Sequence, residues 1–153
     1  MSRDELIQEV KKECHLEGCV NSLISEVITE GEEILGKFLD RRKVEAPEKR
    51  GITTMNYDYY IVTGRKFVRI FASDTECWYK VCLLDRFVGV EEKISIPASL
   101  EVNVDFDVTD NELRQIKFIS ERTEPSDRRE IRQREIKKFV SALMTAVSVR
   151  DNR

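Results

Sequence analysis

The pattern of apolar and polar residues is helical over the first 44 residues of the chain. Ser2 and Glu5 have the spacing of a capping box, which predicts a helix almost at the start of the chain. After Gly18, Asn21 is the predicted N-cap of a second helix over residues 22–39. The apolar stripe of this second helix is wide. We therefore expect an N-terminal helical hairpin in residues 1–44, followed by a polar connection over 44–51.

The pattern then changes to a period of two, which is typical of strands. Six short strands are predicted, over residues 55–61, 66–72, 77–84, 87–96, 100–108 and 113–119. The first of them is expected to bury one face. The fifth alternates apolar with mostly acidic residues, which predicts an antiparallel sheet with one wet face. The sixth alternates less regularly, which indicates a bulge.

The last predicted element is an amphipathic helix over residues 126–148. Pro125 and Ser126 mark its start. Its first two turns are mostly charged and are expected to project past the core, whereas Phe139 and Leu143 belong to a core-facing stripe. The fold class that follows is α+β: a helical hairpin, then an antiparallel meander forming a bent sheet or barrel, closed by the C-terminal helix.

Two segments in the middle of the chain carry recognisable short motifs. In 59–70 an aliphatic strand meets a Thr-x-x-basic turn, and in 79–90 a strand runs into an Asp-x-Φ-x-x-Val sequence. Together with the hairpin 99–120 and the helix 126–148, they resemble a bacterial pleckstrin-homology-like (PH-like) domain over residues 52–148. This resemblance implies a non-catalytic interaction domain and, because bacterial PH-like proteins tend to form homo-oligomers, self-association.

The composition adds a nearly balanced, unusually high charge. Of the 153 residues, 26 are Lys or Arg and 29 are Asp or Glu, which predicts a surface rich in salt bridges and fits a thermophilic source. The balance gives no strong nucleic-acid signal. The charged first residues and the lack of a membrane-length apolar run predict a soluble, cytoplasmic protein. Seven aromatic residues are expected to pack in the core rather than to stack on bases: Tyr57, Tyr59, Tyr60, Phe67, Phe71, Trp78 and Tyr79.

Cysteine chemistry is expected to be structural. Cys14, Cys19, Cys77 and Cys82 are predicted to be reduced thiols that fill small apolar spaces, with a disulfide between two of them as the alternative. Cys77 and Cys82 are an odd number of residues apart, so a regular strand places them on opposite faces and they cannot chelate one ion together. His15 belongs to no acid–base motif. We expect neither a metal nor a cofactor.

The leading functional hypothesis is a scaffolding domain that binds a protein partner or itself. The expected homo-oligomer interface is the wide stripe of the second helix, through Ile24, Ile28, Leu35 and Leu39.

Two other function classes stay open. In a metal-dependent nuclease of the restriction-endonuclease type, the Glu-x-Lys of Glu91 and Lys93 would act with Asp74 or Asp85. In a weak binder of anionic lipid, a membrane surface would be held by Lys49, Arg50, Arg65 and Lys66.

Overall fold

The computed structural model describes residues 1–45, 51, 53–95, 99–120 and 126–151. Its helices are α1 (Arg3–Glu13), α2 (Glu17–Val27), α3 (Asn111–Arg114) and α4 (Ser126–Asp151). Its strands are β1 (Ile34–Glu45), β2 (Thr53–Thr63), β3 (Lys66–Ala72), β4 (Cys77–Leu83), β5 (Phe87–Ser95), β6 (Ser99–Phe106) and β7 (Gln115–Ser120). The α+β class is confirmed, with seven described strands where the sequence predicted about six.

The strands form two antiparallel sheets in chain order. One sheet has the order β1-β2-β3-β4 and the other β5-β6-β7, with a 3₁₀ turn at Leu84–Arg86 between them. The two sheets do not join into a closed barrel within the described ranges. One core lies between the sheets and α4, and a second core lies between the other face of the four-stranded sheet and the helices α1 and α2.

The strand β2 is buried on both faces. Tyr59 and Ile61 face the helical hairpin, whereas Tyr60 and Val62 face the second sheet. The prediction of one buried face for this strand is therefore wrong, because the N-terminal helices cover the side that the pattern left to solvent. The prediction of one buried face is confirmed for β6, whose apolar residues are buried and whose polar residues are half-buried.

The predicted second helix over 22–39 is wrong in its extent. Asn21 lies inside α2, the helix ends at Val27, and the chain turns at Gly31, whose φ is 87°. Residues 34–45 then form β1, whose register shifts between Ile34 and Gly36. Because of this bulge, Ile34 faces the helices and Phe38 faces the second sheet although both are even-numbered. The apolar residues of this irregular strand therefore have the spacing that is typical of a helix.

The remaining boundaries follow the prediction closely. Ser2 caps α1 by accepting a hydrogen bond from the backbone N–H of Glu5 at 3.1 Å.

The bulge predicted in the last strand is absent from the described pairing of β7 with β6. Leu113 instead lies in α3, a short helix capped by Asp110. The first turns of α4 are largely exposed as expected, and buried positions begin at Ile136.

No helix formed by the described residues combines the length and apolar content that crossing a membrane requires.

A disulfide joins the helical hairpin to the far edge of the sheet. Cys19 in α2 is bonded to Cys77 at the start of β4, with 6.6 Å between their Cα atoms. The prediction of four reduced thiols is wrong for this pair. Cys14 and Cys82 are free and buried, as expected. Cys77 and Cys82 do contact different cores, which confirms that they lie on opposite faces of the strand.

The first prediction concerns Gly36, where α4 crosses β1. A Cβ at this position would lie 2.8 Å from the Cβ of Ala142 and 3.1 Å from a methyl of Val62. We expect Gly36→Ala to lower the free energy of unfolding by about 1–3 kcal/mol, because the helix must move away. Chemical denaturation in the wild-type and Ala142→Gly backgrounds should show a smaller loss in the second.

Gly18→Ala is the matched control, because the structure describes no heavy atom within 4 Å of the added Cβ. An equal loss for Gly36→Ala in both backgrounds would contradict the contact with Ala142.

The second prediction concerns Phe139, which is 1% exposed. Its ring packs on Phe38, Phe67 and Phe118, with centroid distances of 6.3, 6.2 and 5.6 Å. Phe139→Ala should lower the free energy of unfolding by about 3–5 kcal/mol, because it leaves a cavity between α4 and both sheets. Met144→Ala, at an exposed position of the same helix, should cost clearly less. Similar losses for both variants in a denaturant titration would place Phe139 outside the core.

The third prediction concerns the disulfide, which closes a loop of 58 residues. Replacing Cys19 and Cys77 together with serine should lower the free energy of unfolding by about 4 kcal/mol, because the unfolded chain regains the entropy of the open loop. A dithiol reductant should destabilise the wild type to a similar degree and leave the double variant unchanged. Unfolding of the wild type that is insensitive to reductant would contradict a stabilising bridge.

Candidate functional site

The strand β1 is an edge of the four-stranded sheet, so alternate backbone groups point away from β2. Met1 covers the start of this edge. Its nitrogen donates to the carbonyl of Ile34 at 3.1 Å, and the N–H of Ile34 donates to the carbonyl of Met1 at 2.8 Å. From Gly36 onward, no other described backbone segment bonds to the outer side of β1. The free edge is therefore about ten residues long, or roughly 33 Å.

A groove of about 900 Å³ runs along this free edge, and we call it the β1 groove. Its floor is residues 34–39 and Arg41. One wall is α1, with Glu9 and Glu13, and the other is α4, from Arg132 to Thr145. The groove thus offers unpaired strand backbone between two helices.

The α1 wall is held to the floor by charged groups. The ammonium of Lys37 donates to both Glu9 and Glu13, the latter at 3.1 Å, and the hydroxyl of Tyr59 donates to Glu13 at 3.2 Å. Burial alone would lower the pKa of Lys37, but its bonds to the two carboxylates outweigh burial and raise the pKa. Burial, reinforced by the Glu13 charge, raises the pKa of Tyr59 far above its usual value. Lys37 therefore stays protonated and Tyr59 stays neutral around neutral pH.

The α4 wall is anchored by a buried ion pair. Asp40 on β1 is 6% exposed, and it accepts a hydrogen bond at 2.8 Å from Arg132, whose guanidinium also donates to the carbonyl of Ile119 at 2.8 Å. Arg132 thereby links α4 to both sheets. Close packing of Gly36 on Ala142 completes this wall further along the helix.

The charge along the β1 groove and at its open end is slightly positive. Three acidic and four basic residues line the groove. Arg41 is half exposed and approaches Glu13 only to 3.9 Å. Lys138 has no ion pair within the described part of the chain, and neither has Lys43 at the open end of β1. Glu135 opposes them and also has no ion pair among the described residues. The groove is thus suited to an acidic ligand.

A second groove of about 810 Å³ continues past Leu35 and Thr145, which line both. We call it the apolar groove, because most of its surface is apolar and it includes the exposed side chains of Leu35 and Val149. Glu32 and Glu33 precede β1 at its margin, Arg65 lies in the β2–β3 turn, and Arg150 lies on α4.

A further buried charge cluster lies on the face of the four-stranded sheet toward the second sheet. Arg69 donates two hydrogen bonds of 2.8 Å to Asp58 and one of 3.0 Å to Glu112, and it lies over the ring of Trp78. Burial raises the pKa of Asp58 although Arg69 opposes this shift. Because its guanidinium joins β2 to α3, this cluster fixes the β6–β7 connection rather than exposing a reactive group.

The four predicted interface residues lie in different environments. Ile24 and Ile28 are fully buried against the sheet, Leu39 is half-buried, and Leu35 is 40% exposed. Only Leu35 presents a large apolar surface. Self-association stays a prediction, but the buried pair cannot contribute to it without unfolding.

Of the predicted basic rim, the structure describes Arg65 and Lys66. Lys49 and Arg50 lie outside the described residues. Lys66 donates to the carbonyl of Val27 and pairs with Glu32 at 3.2 Å. Burial would raise the pKa of Glu32, but bonds from Thr29 and Lys66 lower it. Of the two described rim residues, Arg65 is the exposed one.

The predicted nuclease residues occupy separate places. Asp74 lies 3.8 Å from His15 beside the helical hairpin, and Asp85 lies 3.8 Å from Arg150 at the end of α4. Glu91 and Lys93 are exposed on β5. Over the described ranges, no three acidic, histidine or cysteine side chains are close enough to hold a metal ion. His15 also bonds the hydroxyl of Tyr57 at 2.7 Å through Nδ1.

Sequence reasoning missed the floor of the β1 groove, because residues 34–39 were predicted to be helical. Glu9 and Glu13 at i and i+4 were a visible acidic pair on α1, but they could be placed beside Lys37 only once residues 34–45 were recognised as a strand. Gly36, inside the supposed helix, was the available signal against helical structure there.

No protein-family model, curated protein or solved structure matches the chain. The functional argument therefore depends on the geometry of the two grooves.

Proposed function

We propose that this chain is a non-catalytic protein-interaction module of PH-like type that binds an extended polypeptide segment along the free edge of β1. One observation carries the proposal: an unpaired strand edge forms the floor of a groove between two helices. Addition of a strand to such an edge is a common way of binding peptides, in which backbone hydrogen bonds supply affinity.

The PH-like part of the proposal is supported by chain order. Two antiparallel sheets follow each other as a meander, and the C-terminal helix covers the opening between them. The segment 34–45 adds a strand before the region in which the resemblance was seen. The helices α1 and α2 are an addition that supplies one wall of the groove.

The helices on both sides of the β1 groove favour a single strand over the edge of another folded sheet. Neighbouring strands lie about 4.8 Å apart, and helices rise on both sides of the edge at residues 34–41. A second sheet brought to this edge would meet those helices. A single extended segment would fit between the two helices, where it could pair with the backbone of β1 and contact only the side chains of the helices.

The chemistry of the partner follows from the unmatched cations. Free strand edges are commonly protected by charge, and here Lys37 and Arg41 are paired with the carboxylates of Glu9 and Glu13. Lys43 and Lys138, which have no ion pair within the described residues, remain to repel a basic strand and attract an acidic one. The proposed ligand is therefore an extended acidic segment with small or β-branched residues facing the groove.

The fourth prediction tests this binding with three synthetic probes. The first is a labelled peptide of alternating threonine and valine flanked by glutamates. The second has lysine at each glutamate position, and the third is the acidic peptide methylated on its backbone nitrogens. Fluorescence anisotropy should show binding of the first, affinity at least about tenfold lower for the second, and no binding of the third.

Two variants localise the binding. Lys138→Glu, in the α4 wall, should weaken binding of the acidic probe, and Lys93→Glu, on the edge strand β5, should not. Hydrogen exchange should slow for amides of β1 when the probe binds and stay unchanged in β5. Failure of the acidic probe to bind, or equal binding of its methylated form, would refute strand addition.

A further inference from the structure

We propose that the β1 groove binds its ligand in a single register, in which short acidic side chains occupy every second position of the ligand and face α4. This inference rests on the proposed addition of a strand to β1, and it specifies which backbone groups and side chains of the ligand are recognised. The partner is then an extended segment in which aspartates alternate with uncharged residues.

The outward backbone groups of β1 can be assigned from its first residues. Ile34 exchanges both of its backbone hydrogen bonds with Met1, so its peptide groups point away from β2. The register shift inserts one extra residue, Leu35, before the next pair. Gly36 is therefore the next residue that bonds to β2, and the peptide groups of Lys37 point outward again.

The far side of the sheet gives the same assignment. The N–H of Leu84 donates to the carbonyl of Arg65 at 3.0 Å, and this bond flanks a non-hydrogen-bonded pair at the end of the β3–β4 ladder. Phe67 therefore bonds to β4, and its other partner, Val62, bonds to β1. Since the two kinds of pair alternate along a ladder, the outward N–H and C=O groups in the groove are those of Lys37, Leu39 and Arg41.

The direction of the ligand follows from the part of the edge that is already covered. Met1 and Ile34 donate to each other's carbonyls, which is the geometry of an antiparallel pair. A ligand that continues this ladder toward Arg41 runs antiparallel to β1, which is also the more stable direction per residue.

The outward groups belong to residues whose side chains lie on the α1 side of the sheet. Lys37 and Arg41 pair with Glu13 of α1, and Leu39 packs with the helical hairpin. Directly opposed residues of antiparallel strands have their side chains on the same face. Ligand residues that bond to β1 in the groove must therefore direct their side chains toward α1, and the residues between them toward α4.

The two walls differ in charge. The charged residues that α1 contributes to the groove are Glu9 and Glu13, whereas α4 contributes Arg132, Glu135 and Lys138. An acidic ligand side chain directed at α1 would meet two carboxylates, and one directed at α4 would meet a net positive charge. The acidic residues of the ligand therefore belong at positions whose own N–H groups point away from β1.

The α4 side also limits the size of these residues. A Cβ added at Gly36 would lie only 2.8 Å from the Cβ of Ala142, so the helix approaches the strand closely there. Aspartate combines the charge that this side favours with the short side chain that it can admit.

The fifth prediction uses two isomeric peptides of alternating aspartate and threonine, in which N-methylation decides which residues can bond to β1. In the first peptide the aspartates are methylated, so the threonines bond to β1 and the aspartates face α4. In the second the threonines are methylated, so the aspartates face α1. Fluorescence anisotropy should show an affinity at least about tenfold higher for the first peptide.

Hydrogen exchange locates the bonds of the first peptide. Its binding should slow exchange at the amides of Lys37, Leu39 and Arg41, which point outward. Exchange at the amides of Phe38 and Asp40 should not change, because these groups already bond to β2.

Two variants and one reference peptide complete the test. Lys138→Glu should remove most of the preference for the first peptide, whereas Lys93→Glu, on β5, should leave the preference intact. If the acidic probe of the fourth prediction binds, then equal binding of the two peptides, no binding of either or preference for the second would overturn the proposed register and leave strand addition in place. If that probe does not bind, strand addition is refuted, and the register with it.

Discussion

Burial of both faces of the four-stranded sheet is the constraint on which the rest of the structure depends. Strand β2 contributes tyrosine and aliphatic side chains to both cores, so the sheet requires a cover on each side. The helical hairpin supplies one cover, and the second sheet with α4 supplies the other. Because α1 and α4 therefore lie on opposite faces of the sheet, they rise on either side of its edge strand. The β1 groove is a consequence of this two-sided covering.

Buried charge then sets the positions of the covering elements. Arg132 joins α4 to Asp40 on β1 and to the carbonyl of Ile119 on β7, and Arg69 joins β2 to α3 through Asp58 and Glu112. Removing one member of such a pair leaves an uncompensated charge in the interior, which is strongly unfavourable. These pairs specify orientation more than they add net stability. The geometry of these hydrogen bonds sets the distances between α4, α3 and the sheets.

The sequence was sufficient for most of the sheet and insufficient for the groove. Regular alternation in β6 and aliphatic spacing in α4 predict their elements because each buries one face. The segment from Ile34 to Leu39 has the apolar spacing of a helix although it is a strand, since a bulge reverses the faces of the strand. The pairing of Cys19 with Cys77 was invisible for a different reason. It depends on where α2 crosses the sheet, which no local pattern encodes, and the expectation of reduced thiols followed from an expected location.

Gly36 gives the β1 groove two walls of different stiffness. On the α4 side, backbone and the Cβ of Ala142 meet directly, and no rotatable side chain lies between them that could yield to a larger ligand. On the α1 side, the contact is made by the long side chains of Lys37, Glu9 and Glu13, which have several rotatable bonds and alternative staggered rotamers. The α4 wall is thus rigid and the α1 wall is adjustable. Selection for small residues would therefore be imposed from the α4 side, and tolerance of varied residues from the α1 side.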